Sequence, residues 1–363
     1  MSFSQTRFLG RLLPAIVFVS GCGMANSSGA PNPSGDSFDW PVSTPAAQGL
    51  REDLLERAAH EVCTTNFVYS LLVARNGVLV SETYLNGVEA DSLASTYSAT
   101  KSFVSALVGI ALQEGHIDSL DQRVLDFFPN YDVEEIDRKE DITIRHLLAM
   151  QSGFDEESNI GLYLNLTPNM VAAIFGTELR FDPGTNFLYS THGSHILSAI
   201  LSRTTGTFTD RYAEEKLFRP LGITSFTWST DQNGIPFGGA GLSLSARDMA
   251  RFGQLYLQHG AMEERQIVPA EWVALSTQNC RAYTESWEEM TDVGYGFQWW
   301  TGKVREHALY FASGFGGQWI VVIPDLEMVV VSMMNADLET EGWLNMEFLI
   351  ELLDRFILPA VVD

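Results

Sequence analysis

Residues 103–112, FVSALVGIAL, are apolar nearly all round. A helix without a polar face has to be buried on every side, so other layers must cover this segment. The flanking sequence says which layers. On the N-terminal side, the apolar run Phe67 to Ala74, the dipeptide Asn76-Gly77 and the run Val78 to Leu85 read as a hairpin with a type I′ turn. On the C-terminal side, YGFQWW, ALYFAS, GGQWIVVI and MVVVSMM are aromatic or β-branched runs, and Pro324-Asp325 marks a turn. Helical signals dominate from Tyr97 to about His259. The buried helix runs to Gly115, a suitable C′ residue. ITIRHLLAMQSG predicts a short helix from Ile144 to Met150, and GSHILSAILSRTTG another. SARDMARFGQLYLQHG opens on a capping-box pattern, Ser245 and Asp248, carries Met249, Phe252, Leu255 and Tyr256 on one face, and stops at Gly260. Shorter helices are expected at about Arg51 to Cys63 and Trp343 to Phe356. Strands at both ends of a helical middle predict an α+β fold. One antiparallel sheet is built from both chain ends (about 46–97 and 260–363) and flanked by helices, with a mainly helical lobe (about 98–259) inserted.

The first residues have the layout of an export signal. Arg7 and Arg11 precede an apolar run from Leu12 to Val19, followed by small residues and Cys22. The run is too short to span a bilayer as a helix. Val19-Ser20-Gly21-Cys22 resembles the lipobox of bacterial lipoproteins, in which the cysteine is lipidated and becomes the first mature residue. Residues 1–21 are therefore expected to be a lipoprotein-type signal peptide and Cys22 the lipidation site; a plain secretory signal is the alternative. Residues 22–45, rich in Ser, Gly, Pro and Asn, suit a flexible tether to a domain spanning 46–363. The expected location is the periplasm or cell envelope, with membrane contact only through the lipid. The net charge of −24 argues against nucleic acid as a partner. Export permits a disulfide between Cys63 and Cys280, two buried thiols being the alternative. With three cysteines and no clustered histidines, neither a metal site nor a cofactor is expected.

The head of the buried helix carries Lys101, three residues after Ser98. Residues three apart share a helix face, so the two side chains can touch. Burial and the positive end of the helix dipole both disfavour an ammonium there, and a neutral amine is a general base for a hydroxyl that needs one to become a nucleophile. The spacing alone is weak: with four lysines and thirty serines, Ser-x-x-Lys is expected by chance about a third of the time. Its position at the head of a buried helix is what raises its value.

The wider segment, YSATKSFVSALVGIALQEGHIDSLDQRVLDFFP, resembles the active-site segment of the β-lactamase-related serine hydrolases. That family includes class C β-lactamases, D-alanyl-D-alanine carboxypeptidases, esterases and 6-aminohexanoate-dimer hydrolases. ITIRHLLAMQSGF, FDPGTNFLYST, LFRPLGI, GLSLSARDMARFGQLYL and YGFQWW agree in the same order, over about Pro45 to Asp363. The resemblance implies a β-lactamase/transpeptidase-like fold, with Ser98 as nucleophile and Lys101 as base. The family's Tyr-x-Asn motif falls on Tyr189-Ser190-Thr191, making Tyr189 a proton relay and placing Thr191 at the substrate in place of asparagine. The third motif, usually Lys-Thr-Gly or His-x-Gly, falls on Ala312-Ser313-Gly314 without its basic residue. Ser313 and Gly314 are the implied substrate-binding positions, and the N–H groups of Ser98 and Phe315 the implied oxyanion hole. These two departures point away from β-lactams and toward the esterases and 6-aminohexanoate-dimer hydrolases, acting on a small ester or unstrained amide. β-Lactamase or D-Ala-D-Ala carboxypeptidase activity, and a non-catalytic cell-wall-binding lipoprotein, are the alternatives. Trp299, Trp300, Phe311, Phe315 and Trp319 divide between an apolar cleft and the core. A Ser-His-Asp reading would want His192, but no Gly-x-Ser-x-Gly elbow is present; His192 is expected to be exposed or structural, and His195 has no expected role.

Overall fold

The computed structural model describes residues 40–154, 167–282, 287, 289–336 and 344–362. The expected signal peptide and Cys22 lie outside them.

The central element is an eight-stranded sheet made from β1 (Val68–Arg75), β2 (Val78–Tyr84), β3 (Arg281–Ala282), β4 (Met290–Tyr295), β5 (Trp300–Val304), β6 (His307–Gly314), β7 (Gln318–Ile323) and β8 (Met328–Met334). Its order is β2-β1-β8-β7-β6-β5-β4-β3, antiparallel throughout, so the N-terminal hairpin joins the C-terminal meander at the β1–β8 pair. The hairpin turn has both residues at positive φ, Asn76 at 54° and Gly77 at 78°, as a type I′ turn requires.

The sheet is covered on both faces because its strands alternate between two cores. Leu71, Val73, Trp319, Val321, Ile323, Met328 and Val330 face α1 (Glu52–Cys63) and α5 (Leu344–Leu352), which a π-helical turn continues to Ile357. Leu72, Ala74, Ile320, Val322, Val329 and Val331 face the opposite core, with α2 (Thr100–Gln113), α3 (Thr191–Thr205) and α4 (Ala246–Leu257). Helix α4 lies on the sheet at Gly253, where an added Cβ would stand 2.6 Å from Val329 Cγ1. Every residue of α2 from Thr100 to Ala111 is buried, as its all-round apolarity demands. A small second sheet, Ala94–Ser95 with Leu242–Leu244 and Thr227–Trp228, lies just before the head of α2.

Three expectations need correction. The end of the expected tether is part of the fold: Trp40 is buried and donates its indole N–H to the Gly77 carbonyl at 2.8 Å. Val42 bridges Leu79 in parallel, so residues 40–43 cover the exposed edge of β2. YGFQWW is not a strand. Its centre turns between β4 and β5, closed by the Gly296 N–H on the Trp299 carbonyl at 2.8 Å, with Gln298 at φ 64°. Cys280 is a free, exposed thiol, so neither alternative left open for it holds: it does not pair with Cys63, and it is not buried.

Candidate active site

Ser98 stands in a single 3-10 turn, Tyr97–Ala99, that leads into α2. The turn is entered through Tyr97 at φ 46°, a left-handed value for a bulky residue and a strain that the surroundings must impose. Part of that constraint is visible at Thr96, whose hydroxyl donates to the Leu242 carbonyl at 2.9 Å and lies 3.0 Å from the Thr100 hydroxyl.

Lys101 is 1% exposed. Its Nζ lies 3.0 Å from Ser98 Oγ, 3.2 Å from Thr191 Oγ1 and 2.6 Å from the carbonyl oxygen of Gly239. It also sits 4.8 Å from the centre of the Tyr189 ring. Residues from three distant stretches thus meet at one amine, and Ser98, Lys101 and Tyr189 are neighbours there.

Tyr189 is aimed by the segment before it. Leu188 N–H donates to the Met150 carbonyl at 2.8 Å, and Ser190 N–H contacts Met150 Sδ at 3.1 Å. Ser190 then caps α3, accepting from Gly193 N–H. The Tyr189 ring stacks on Trp300 at 5.9 Å and meets Tyr295 edge-on at 6.1 Å. Burial, with Tyr189 alongside, pushes the Tyr295 hydroxyl well above its ordinary titration range, so that phenol stays neutral. Thr191, implied as a substrate contact, is buried with its hydroxyl turned to Lys101.

The end of β6 is pressed against the turn that carries Ser98. A Cβ at Gly314 would stand 2.1 Å from the Thr96 carbonyl oxygen, so only glycine allows the approach. Ser313 is half-buried beside it, and Phe315 follows, 53% exposed, with its ring edge-on to Tyr97 at 6.0 Å. The five aromatics separate cleanly: Trp299, Phe311 and Trp319 are core, while Trp300 and Phe315 flank the site. His192 is buried at the start of α3 rather than exposed.

Sequence reasoning missed two residues. Gly239 supplies the lysine's shortest contact through its backbone, which no side-chain pattern reveals. Gln298 is a buried hub. Its Nε2 donates to the carbonyls of Leu147 and Leu148 at 3.0 Å each, its Oε1 accepts from Ser194 Oγ at 2.7 Å, and its carbonyl accepts from Ser102 Oγ at 2.7 Å. It lies in the quoted segment YGFQWW, where its polarity among aromatics was the available signal.

The residues that match a family model settle the affiliation: 68–354 match the Beta-lactamase family. The chain belongs to that family. It is 28% identical over 348 residues to a 6-aminohexanoate-dimer hydrolase from Paenarthrobacter ureafaciens, covering 83% of this chain and 82% of the relative. It is 26% identical over 287 residues to penicillin-binding protein 4 of Amycolatopsis lactamdurans, covering 70% and 74%. Among solved structures, an octameric penicillin-binding protein homologue from Pyrococcus abyssi superposes with a TM-score of 0.65 at 19% identity, over 83% of this chain and 76% of that one. The protein is a serine hydrolase of the β-lactamase family, with the fold of that family.

Proposed function

We propose that this hydrolase cleaves carboxylic esters and unstrained amides through an acyl-enzyme on Ser98, in a lipid-anchored, exported protein. The observation that carries the reading is the buried Lys101 amine 3.0 Å from Ser98 Oγ. A neutral amine has two N–H groups and one lone pair. The N–H groups suit Thr191 Oγ1 and the Gly239 carbonyl, and the lone pair is left for the Ser98 proton. Lys101 takes that proton as Ser98 Oγ attacks the carbonyl carbon. The N–H groups of Ser98 and Phe315 stabilise the oxyanion, a kind of contact worth about 3–4 kcal/mol. Collapse expels the alcohol or amine, which receives a proton through Tyr189. Water then loses a proton along the reverse path and cleaves the acyl-enzyme, restoring Ser98.

Esters and linear amides are favoured over β-lactams because Ala312 replaces the basic residue of the third motif and Thr191 replaces the asparagine of the second. The name of the Paenarthrobacter relative supports the same direction. The export reading rests on residues 1–22 alone. A panel of short acyl esters, linear amides, D-Ala-D-Ala peptides and a chromogenic cephalosporin tests the proposal. Turnover of the first two classes, lost in a folded Ser98→Ala variant, is expected. Ester turnover retained by that variant overturns the assignment, and failure of the wild type on every class points to a binding lipoprotein.

A further inference from the structure

His195 and Asp231 are buried, their side chains at 0% exposure, and meet at 3.3 Å between Nε2 and Oδ2. The reaction scheme above uses neither. Taking a carboxylate and an imidazole out of water is costly, so what the pair joins matters. His195 lies one turn after Thr191 on α3, on the same face. Asp231 opens the loop that ends at Gly239. Its Oδ1 accepts from the N–H groups of Asn233 at 2.8 Å and Ile235 at 3.0 Å, which folds the start of the loop into a tight turn. The loop then lies along α3. Ser198 Oγ donates to the Pro236 carbonyl at 2.7 Å, and the His195 ring is 5.3 Å from that of Phe237. A Cβ at Gly238 would stand 2.3 Å from the Ser194 carbonyl oxygen, and one at Gly239 2.3 Å from Thr191 Cγ2. The seam finishes at Lys101, which touches both sides of it, Thr191 Oγ1 and the Gly239 carbonyl.

We propose that His195 is a positioning residue of the hydrolytic centre: through Asp231 it clamps the 231–239 loop onto α3 and so keeps the Gly239 carbonyl on the Lys101 amine. The inference rests on the hydrolase reading given above. Removing the imidazole N–H leaves the Asp231 carboxylate without its side-chain partner and frees the loop to shift. A displacement of about 1 Å at a catalytic group can cost about 10²-fold in rate. The loss also has a direction in pH. A carbonyl acceptor favours the ammonium, so withdrawing it makes the amine easier to deprotonate. Tyr189 faces Lys101 in wild type and variant alike, whereas Asp231 faces His195 and loses that hydrogen bond in a His195→Phe variant; Ser198→Ala leaves the His195–Asp231 contact in place and so separates the two effects.

The test is the second-order rate of fluorophosphonate labelling of Ser98 against pH in the full-length protein. His195→Phe is expected to lower the plateau by about 10- to 100-fold and to move the rising limb to lower pH. His195→Gln, which keeps an N–H donor, recovers most of the loss. Ser198→Ala, which removes the loop's tie at Pro236 with little change in volume, gives a smaller fall with the same acid shift and stands in if His195→Phe does not fold. A folded His195→Phe or Ser198→Ala with wild-type rate and wild-type limb overturns the proposal, as does a fall in plateau with no shift of the limb. A wild type that never labels sinks the hydrolase reading itself and the clamp with it.

Discussion

At the residue scale, the chemistry depends on how few contacts Lys101 makes with water. A lysine 1% exposed and 3.0 Å from a hydroxyl is held where the charged form is poorly solvated. The account predicts that kcat/KM for an ester rises through an ionisation below the ordinary lysine value of about 10.4, as measured by initial rates between neutral and alkaline pH. Replacing Lys101 with methionine keeps the volume and removes the proposed base; kcat/KM should fall by about 10²- to 10⁴-fold. Tyr189→Phe keeps the stacking on Trp300 and removes the hydroxyl, so kcat should fall while the fold and its near-ultraviolet spectrum persist. Ser98 and Lys101 were legible in the sequence because both lie on one short helical segment. Gly239 was not, since it reaches the amine from 138 residues away through its backbone.

At the element scale, the site is assembled where strand, helix and loop approach closely enough to exclude a side chain. Gly314 is the sharpest case. Gly314→Ala must move the end of β6 off the Thr96 carbonyl, at a cost of about 1–3 kcal/mol for overpacking. A lower urea midpoint together with slower labelling of Ser98 is expected; unchanged values would show that the close approach is not needed. The helices and the Asn76-Gly77 hairpin were readable because they rest on local periodicity and turn chemistry, which a linear sequence displays. The turn hidden in YGFQWW was not. Gln298 bonds to partners 104 to 196 residues away, and those contacts rather than local β-propensity set its φ of 64°. Trp40 was hidden for the same reason, since its partner at Gly77 lies 37 residues on.

At the scale of the whole molecule, the sheet ties both chain ends together between two cores, and buried ionisable groups link stability to pH. Burial opposes charge on Asp231, but the hydrogen bonds from His195 and from the N–H groups of Ile235 and Asn233 outweigh it and hold the carboxyl below its ordinary range. Its stabilisation is therefore present above the unfolded value, about 3.9, and is lost as pH falls through the folded one. Thermal unfolding of the wild type should weaken below about pH 4, and Asp231→Asn should flatten that limb. The central claim, that Ser98 is the residue acylated, is tested most directly by intact mass and peptide mapping after treatment with a fluorophosphonate. A single adduct on Ser98, absent from Ser98→Ala, is the predicted result; an unmodified wild-type protein, or an adduct on any other residue, would contradict it.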